Sequence, residues 1–159
     1  MKKKKGFTLI ETVATLSIIG VSFALSAGVV AALLNVQNKS NDQLYINKQL
    51  KQADSFIDDY VSFVSVHTND LSFSTPVVSA NKVKSGISGT NYTYTLEFSD
   101  NVLSINNTYT GSEKYFNKTG SINLKHIKSI VFSYDSTISL LTAEMWFSSS
   151  KLVYTYILR

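Results

Sequence analysis

Few residues in this chain are of the kinds that do chemistry, and one of them stands where it is hard to account for. Glu11 is the only charged residue in the run from Phe7 to Leu34, FTLIETVATLSIIGVSFALSAGVVAALL. A charge within hydrocarbon costs on the order of 2.5–3.5 kcal/mol, so a plain apolar anchor gains nothing by keeping one. Elsewhere, His67 and Asp70 share a two-residue gap that suits a metal ion, but one such pair near a helix end reads more simply as polar surface. His126 has no companion at ligand spacing, and the adjacent Asp58 and Asp59 read as solvated carboxylates on an outer helix face. No nucleophile–base pair, phosphate-binding glycine loop or cluster of metal ligands stands out. No catalytic residue, metal or cofactor is therefore expected, and the chain does not read as an enzyme.

The element that positions Glu11 is the apolar run itself. A bilayer core of about 30 Å needs roughly 20 apolar residues, and Thr12 to Leu34 supplies them with nothing ionisable. Two roles for the carboxylate follow. It can sit hydrated at headgroup level, where a helix N-terminus favours negative charge. Alternatively, the chain is cut between Gly6 and Phe7. The cut removes Lys2 to Lys5 and exposes an α-amine four residues before Glu11, on the same helix face. Amine and carboxylate are then the two charges at the apolar end of the helix, and each is stabilised by an opposite partner, its own or a neighbour's, the more so as the dielectric falls.

Lys5-Gly6-Phe7-Thr8-Leu9-Ile10-Glu11 resembles the type IV prepilin signature, shared with the pseudopilins of type II secretion and of competence. A short basic leader, Gly before the cut, Phe after it, Glu four residues on and some twenty apolar residues all match. The likeness covers about the first third of the chain. It implies that a membrane-embedded prepilin peptidase cuts after Gly6 and N-methylates Phe7, and that Glu11 pairs with the Phe7 amine of an adjacent subunit during assembly. It further implies other pilin-like subunits as partners, and indirectly an assembly ATPase and a platform membrane protein. Many pilins carry proline where Gly28 stands, so local melting of the helix there is permitted but not forced. Major secretion pseudopilins bind calcium through clustered loop carboxylates. Here Asp100, Glu113 and Asp135 are scattered, and that site is not carried over. An ordinary secretory signal peptide is the rival reading, but its apolar region spans 7–15 residues and would neither run on to Leu34 nor open with Glu11.

The chain has 159 residues, no cysteine and a formal net charge of +4. Four of its fifteen basic residues are Lys2 to Lys5, so the remainder carries eleven basic side chains, matching its eleven acidic ones. The basicity belongs to the leader. It fits a cytoplasmic N-terminus, with an extracellular head beyond a single membrane pass, and charge count does not indicate a nucleic-acid surface. Lys82, Lys84, Lys125 and Lys128 could still form a weak patch at a filament tip. The absence of disulfides, the preference for lysine over arginine (Arg159 is alone) and the abundant asparagine lean towards a Gram-positive bacterium.

The pattern beyond Leu34 supports an α+β fold. Ile46, Leu50, Ala53, Ile57, Tyr60 and Val64 form one apolar stripe at helical spacing. With no Gly or Pro from 29 to 75, the apolar helix is expected to run on into an amphipathic one packed under a sheet of its own chain. From Leu71 the period becomes two. Tyr92–Phe98 and Val102–Ile105 read as a hairpin about Ser99-Asp100-Asn101, and Lys128–Tyr134, Ile138–Ser148 and Lys151–Leu158 as three further strands. Segments 81–91 and 106–121 read as loops. The expected organisation is a leader at 1–6, a hydrophobic helix at 7–34, its amphipathic continuation at 35–66 and a β-rich head at 67–159, with an antiparallel sheet of four or five strands. Function then follows from assembly: a pilin-like, minor subunit of an envelope filament. A monomeric membrane-anchored binding module, using exposed aromatics such as Tyr109 and Tyr115, is the alternative.

Overall fold

The structure, a computed structural model, describes residues 8–71, 73–87, 92–108, 119–148 and 150–158. One helix, α1, spans Leu9–Leu71 without a break. It meets no proline until Pro76, five residues past its end. The chain divides inside α1 into two units, Met1–Gln43 and Leu44–Arg159.

From Leu9 to Leu34 α1 carries five Ser and Thr hydroxyls that need acceptors. Each bonds the carbonyl four residues back: Thr12 to Thr8 at 3.2 Å, Thr15 to Glu11 at 2.7 Å, Ser17 to Val13 at 2.9 Å, Ser22 to Ile18 at 2.9 Å and Ser26 to Ser22 at 2.8 Å. The helix therefore satisfies its own polar hydrogens and can lie in lipid without seeking other donors or acceptors.

In the second unit the apolar stripe packs inward as its spacing predicts. Leu50, Ala53, Ile57, Tyr60 and Val64 are buried and Ile46 is half-buried. They share one core with Val83, Tyr94, Leu96, Leu103, Ile130 and Met145 from the strands. The stripe thus packs within the chain, as expected.

The strands are β1 (Val77–Ser79), β2 (Lys82–Gly86), β3 (Thr93–Ser99), β4 (Val102–Asn107), β5 (Gly120–Asn123), β6 (Ser129–Asp135), β7 (Leu140–Phe147) and β8 (Ser150–Ile157). They form an antiparallel five-stranded sheet, β1 to β5 in order, and a three-stranded sheet, β6-β7-β8. An antiparallel five-stranded sheet is present as expected, but of its strands only β3 and β4 are among those read from the sequence. The last three strands, expected in one sheet with β3 and β4, form a sheet of their own, joined to the first where Phe132 N donates to Ala80 O at 2.6 Å. The expected hairpin is β3–β4, with Leu96 opposite Ile105 and Ser99 opposite Val102. Its turn residues Asp100 and Asn101 have φ of 51° and 61°, the paired left-handed conformation of a type I′ turn.

Two loop readings need correction. Segment 81–91 contains β2, and 106–121 contains the end of β4 and the start of β5. In β2 only Val83 and Ser85 turn inward. One apolar residue gives no period-two signal, and the strand is set by its ladder to β3 instead.

Candidate functional site: the first turns of the apolar helix

Glu11 lies in the first turn of α1. Its carboxylate Oε2 accepts from the backbone N–H of Thr8 at 3.3 Å and from Thr8 Oγ1 at 3.4 Å, while Glu11 N–H donates to Thr8 Oγ1 at 3.4 Å. Thr8 and Glu11 thus form a reciprocal capping box on amide groups that the helix leaves unpaired. The signal was present in the sequence as Thr-x-x-Glu, but the apolar setting drew attention to the charge rather than to the cap. Gly6 and Phe7, the other residues expected at this site, lie outside the described residues.

From Leu9 to Leu34 the helix is uncovered, and Glu11 is its one charged residue. Leu9 is 85% exposed, Ile10 79% and Phe23 73%, and no charged residue follows Glu11 until Lys39. A continuous apolar surface of this kind marks a membrane or protein interface, and α1 is long and apolar enough to cross a bilayer. A Cβ added at Gly20 or Gly28 would meet nothing within 4 Å. Neither glycine is demanded by a contact within the described residues, and both leave room for close approach of another helix.

The candidates in the second unit do not converge. His67 Nδ1 lies 3.0 Å from Phe63 O and its ring stacks on Phe63 at 4.6 Å, while the Asp70 side chain lies outside the described ones. His126 is exposed; its backbone N–H donates to Gln49 Oε1 at 2.8 Å and its ring stacks on Tyr45 at 6.3 Å. Asp135 Oδ1 accepts from Thr137 N at 2.8 Å within a turn, and Asp100 Oδ2 from Ser99 Oγ at 3.2 Å. Among the described residues no three His, Cys, Asp or Glu gather as a metal site. Of the four lysines, Lys82 is engaged with Glu97 at 3.0 Å. Trp146 stands on the outer face of β7, with Lys151 Nζ 5.3 Å from its ring centre. Tyr109, Glu113 and Tyr115 lie outside the described residues.

The tyrosines are structural. Tyr60, fully buried, stacks on Tyr94 at 5.0 Å, and its hydroxyl lies 2.9 Å from Ser85 Oγ. Tyr156 donates its phenol to Asp54 Oδ1 at 2.6 Å. Burial pushes the Tyr60, Tyr94 and Tyr156 phenols above their ordinary value, and for Tyr156 the Asp54 carboxylate holding its proton adds to the effect.

Residues 1–27 match the family model described as the prokaryotic N-terminal methylation motif. No curated protein and no solved structure matches the chain. Motif and apolar helix together support a type IV prepilin- or pseudopilin-like protein. The motif implies processing by a prepilin peptidase and assembly with other pilin subunits, and the helix a single-pass membrane anchor.

Proposed function

We propose that this protein is a subunit of an envelope filament of the type IV pilus, type II secretion or competence kind. The peptidase cuts after Gly6 and methylates Phe7, and the helix starting there is lifted from the membrane into a bundle of like helices, with the β-rich heads outside. Before assembly the head faces the cell exterior. Lys2 to Lys5 keep the N-terminus cytoplasmic. Helices taken out of lipid must be re-buried, and a repeated head-to-tail contact that does not close generates a fibre. Glu11 draws the freed amine of the adjacent subunit into register, since attraction between opposite charges grows in a low-dielectric bundle. The anchored binding module remains the alternative.

The observation that carries this reading is a lone carboxylate at the entry of an uncovered apolar helix, within a matched methylation motif. Replacing Glu11→Leu tests it. Export and cutting are expected to persist and incorporation into filaments to be lost. Normal filament yield from this variant would remove the assembly role.

A further inference from the structure

We propose that the free edge of β8, with the groove between it and α1, is a docking site for an extended segment of another protein. The occupant adds as a strand beside β8 and carries a basic residue among β-branched ones. This inference is independent of the filament reading.

The first observation is directional. Leu158 N–H donates to Ser139 O at 2.9 Å, which turns the even-numbered β8 amides towards β7. In an antiparallel ladder the alternate residues then face away. These are Lys151, Val153, Thr155 and Ile157, opposite Trp146, Glu144, Thr142 and Leu140. Their amides and carbonyls have no partner among the described residues. Four unpaired rungs on an eight-residue strand without proline form a template for another strand.

The second observation is that the other sheet edges are defended. Strand β1 has three residues and directly follows Pro76, β5 has four and starts with Gly120, and β6 gives its Phe132 amide to Ala80. Only β8 is long, regular and open among the described strands. Its outward residues include Val153 and Ile157, 49% and 55% exposed.

The third observation is the groove, about 480 Å³, lined by Asp58, Val61, Ser65 and Val66 of α1 and by the Thr155–Ile157 edge of β8. An edge strand with a helix as the opposite wall is the geometry in which strand-adding domains hold peptides. Val61 and Val66 supply apolar contact. Ser65 Oγ is buried and without a partner among the described residues. Asp58 is exposed and brings the charge that selects a basic residue. A second copy could offer its own β8 edge, but such a contact is two-fold and sets Lys151 of both copies on one shared sheet, which does not use Asp58.

The test measures binding of fluorescent peptides to the full-length protein in detergent micelles. The probe is an alternating valine–threonine peptide with one central lysine. Controls replace lysine by glutamate or N-methylate alternate amides along one edge. Wild type is expected to bind the lysine peptide and to lose affinity about tenfold or more on N-methylation. Thr155→Pro deletes an outward N–H that β7 does not use, so far-UV circular dichroism should hold while affinity falls about tenfold or more. Val153→Pro, with the same logic one rung away, guards against misfolding of the first variant. Asp58→Lys should invert the preference between lysine and glutamate peptides. Equal binding to the N-methylated peptide, undiminished binding by folded proline variants, or no binding by wild type would overturn the proposal. So would self-association abolished by Thr155→Pro, which would make the occupant a second copy, or a peptide preference indifferent to Asp58→Lys.

Discussion

Thr8 and Glu11 hold each other at the start of α1, the hydroxyl of one taking the amide of the other and the carboxylate returning the contact at 3.3 Å. The same carboxylate is thus a helix cap in the isolated chain and, on our proposal, the counter-charge of a neighbour's amine in the filament. These two roles make different demands on chemistry.

Glu11→Gln separates them. A glutamine completes a capping box as glutamate does, but brings no charge. We expect Glu11→Gln to leave the first turn helical and to reduce filament yield as severely as Glu11→Leu, measured by shearing filaments from cells and blotting. Wild-type yield from Glu11→Gln would assign the residue to capping alone.

Thr8→Ala removes the reciprocal partner. The expected cost is about 1 kcal/mol of local helix stability, read as faster amide exchange in the first turn of the micelle-bound protein, with the head's exchange unchanged. Unaltered exchange would show that the cap contributes nothing there.

Gly6→Val is expected to block the cut. Intact-protein mass should stay at the full 159-residue value. A fall by the leader's weight would show that the cut does not depend on Gly6.

The head should weaken in alkali. The Tyr60, Tyr94 and Tyr156 phenols are held above their ordinary value of 10. Below about pH 10 both folded and unfolded chains keep these protons, so nothing is lost. Above it the unfolded chain releases them first, the folded state binds more protons, and stability falls as pH rises. The limit is about 1.4 kcal/mol per pH unit for each tyrosine. Denaturant midpoints between pH 9 and pH 12 should fall, and less steeply in Tyr156→Phe. A flat profile would contradict the burial argument.

Tyr156→Phe also removes the 2.6 Å bond to Asp54 that ties the last strand to α1. A hydrogen bond to a charged acceptor contributes about 1.5–3 kcal/mol, and partial exposure here favours the lower end. The denaturant midpoint at neutral pH should drop with an unchanged slope, and Asp54→Asn should be non-additive with it.

Much of this is legible in the sequence, for physical reasons that differ by element. The stripe from Ile46 to Val64 showed because a helix buries one face at a fixed period. The β3–β4 hairpin showed because Tyr94, Leu96 and Phe98 alternate up to a turn-forming Asp100-Asn101. Strand β2 did not, since Val83 is its one apolar inward residue and its ladder to β3 is a non-local fact. The split into two sheets was equally hidden, because strand sequences state which face is buried but not which neighbour is paired. At the candidate site, Glu11 stood out by the cost of its setting. Its bond to Thr8 is local and was readable, but the charge masked it. The Tyr156–Asp54 contact, 102 residues apart, leaves no trace in spacing.

The most direct test of the central claim is mass spectrometry of the mature N-terminus from cells. We predict a chain that begins at Phe7 and carries one added methyl group. A chain that begins at Met1, or downstream near Ala27, would contradict it.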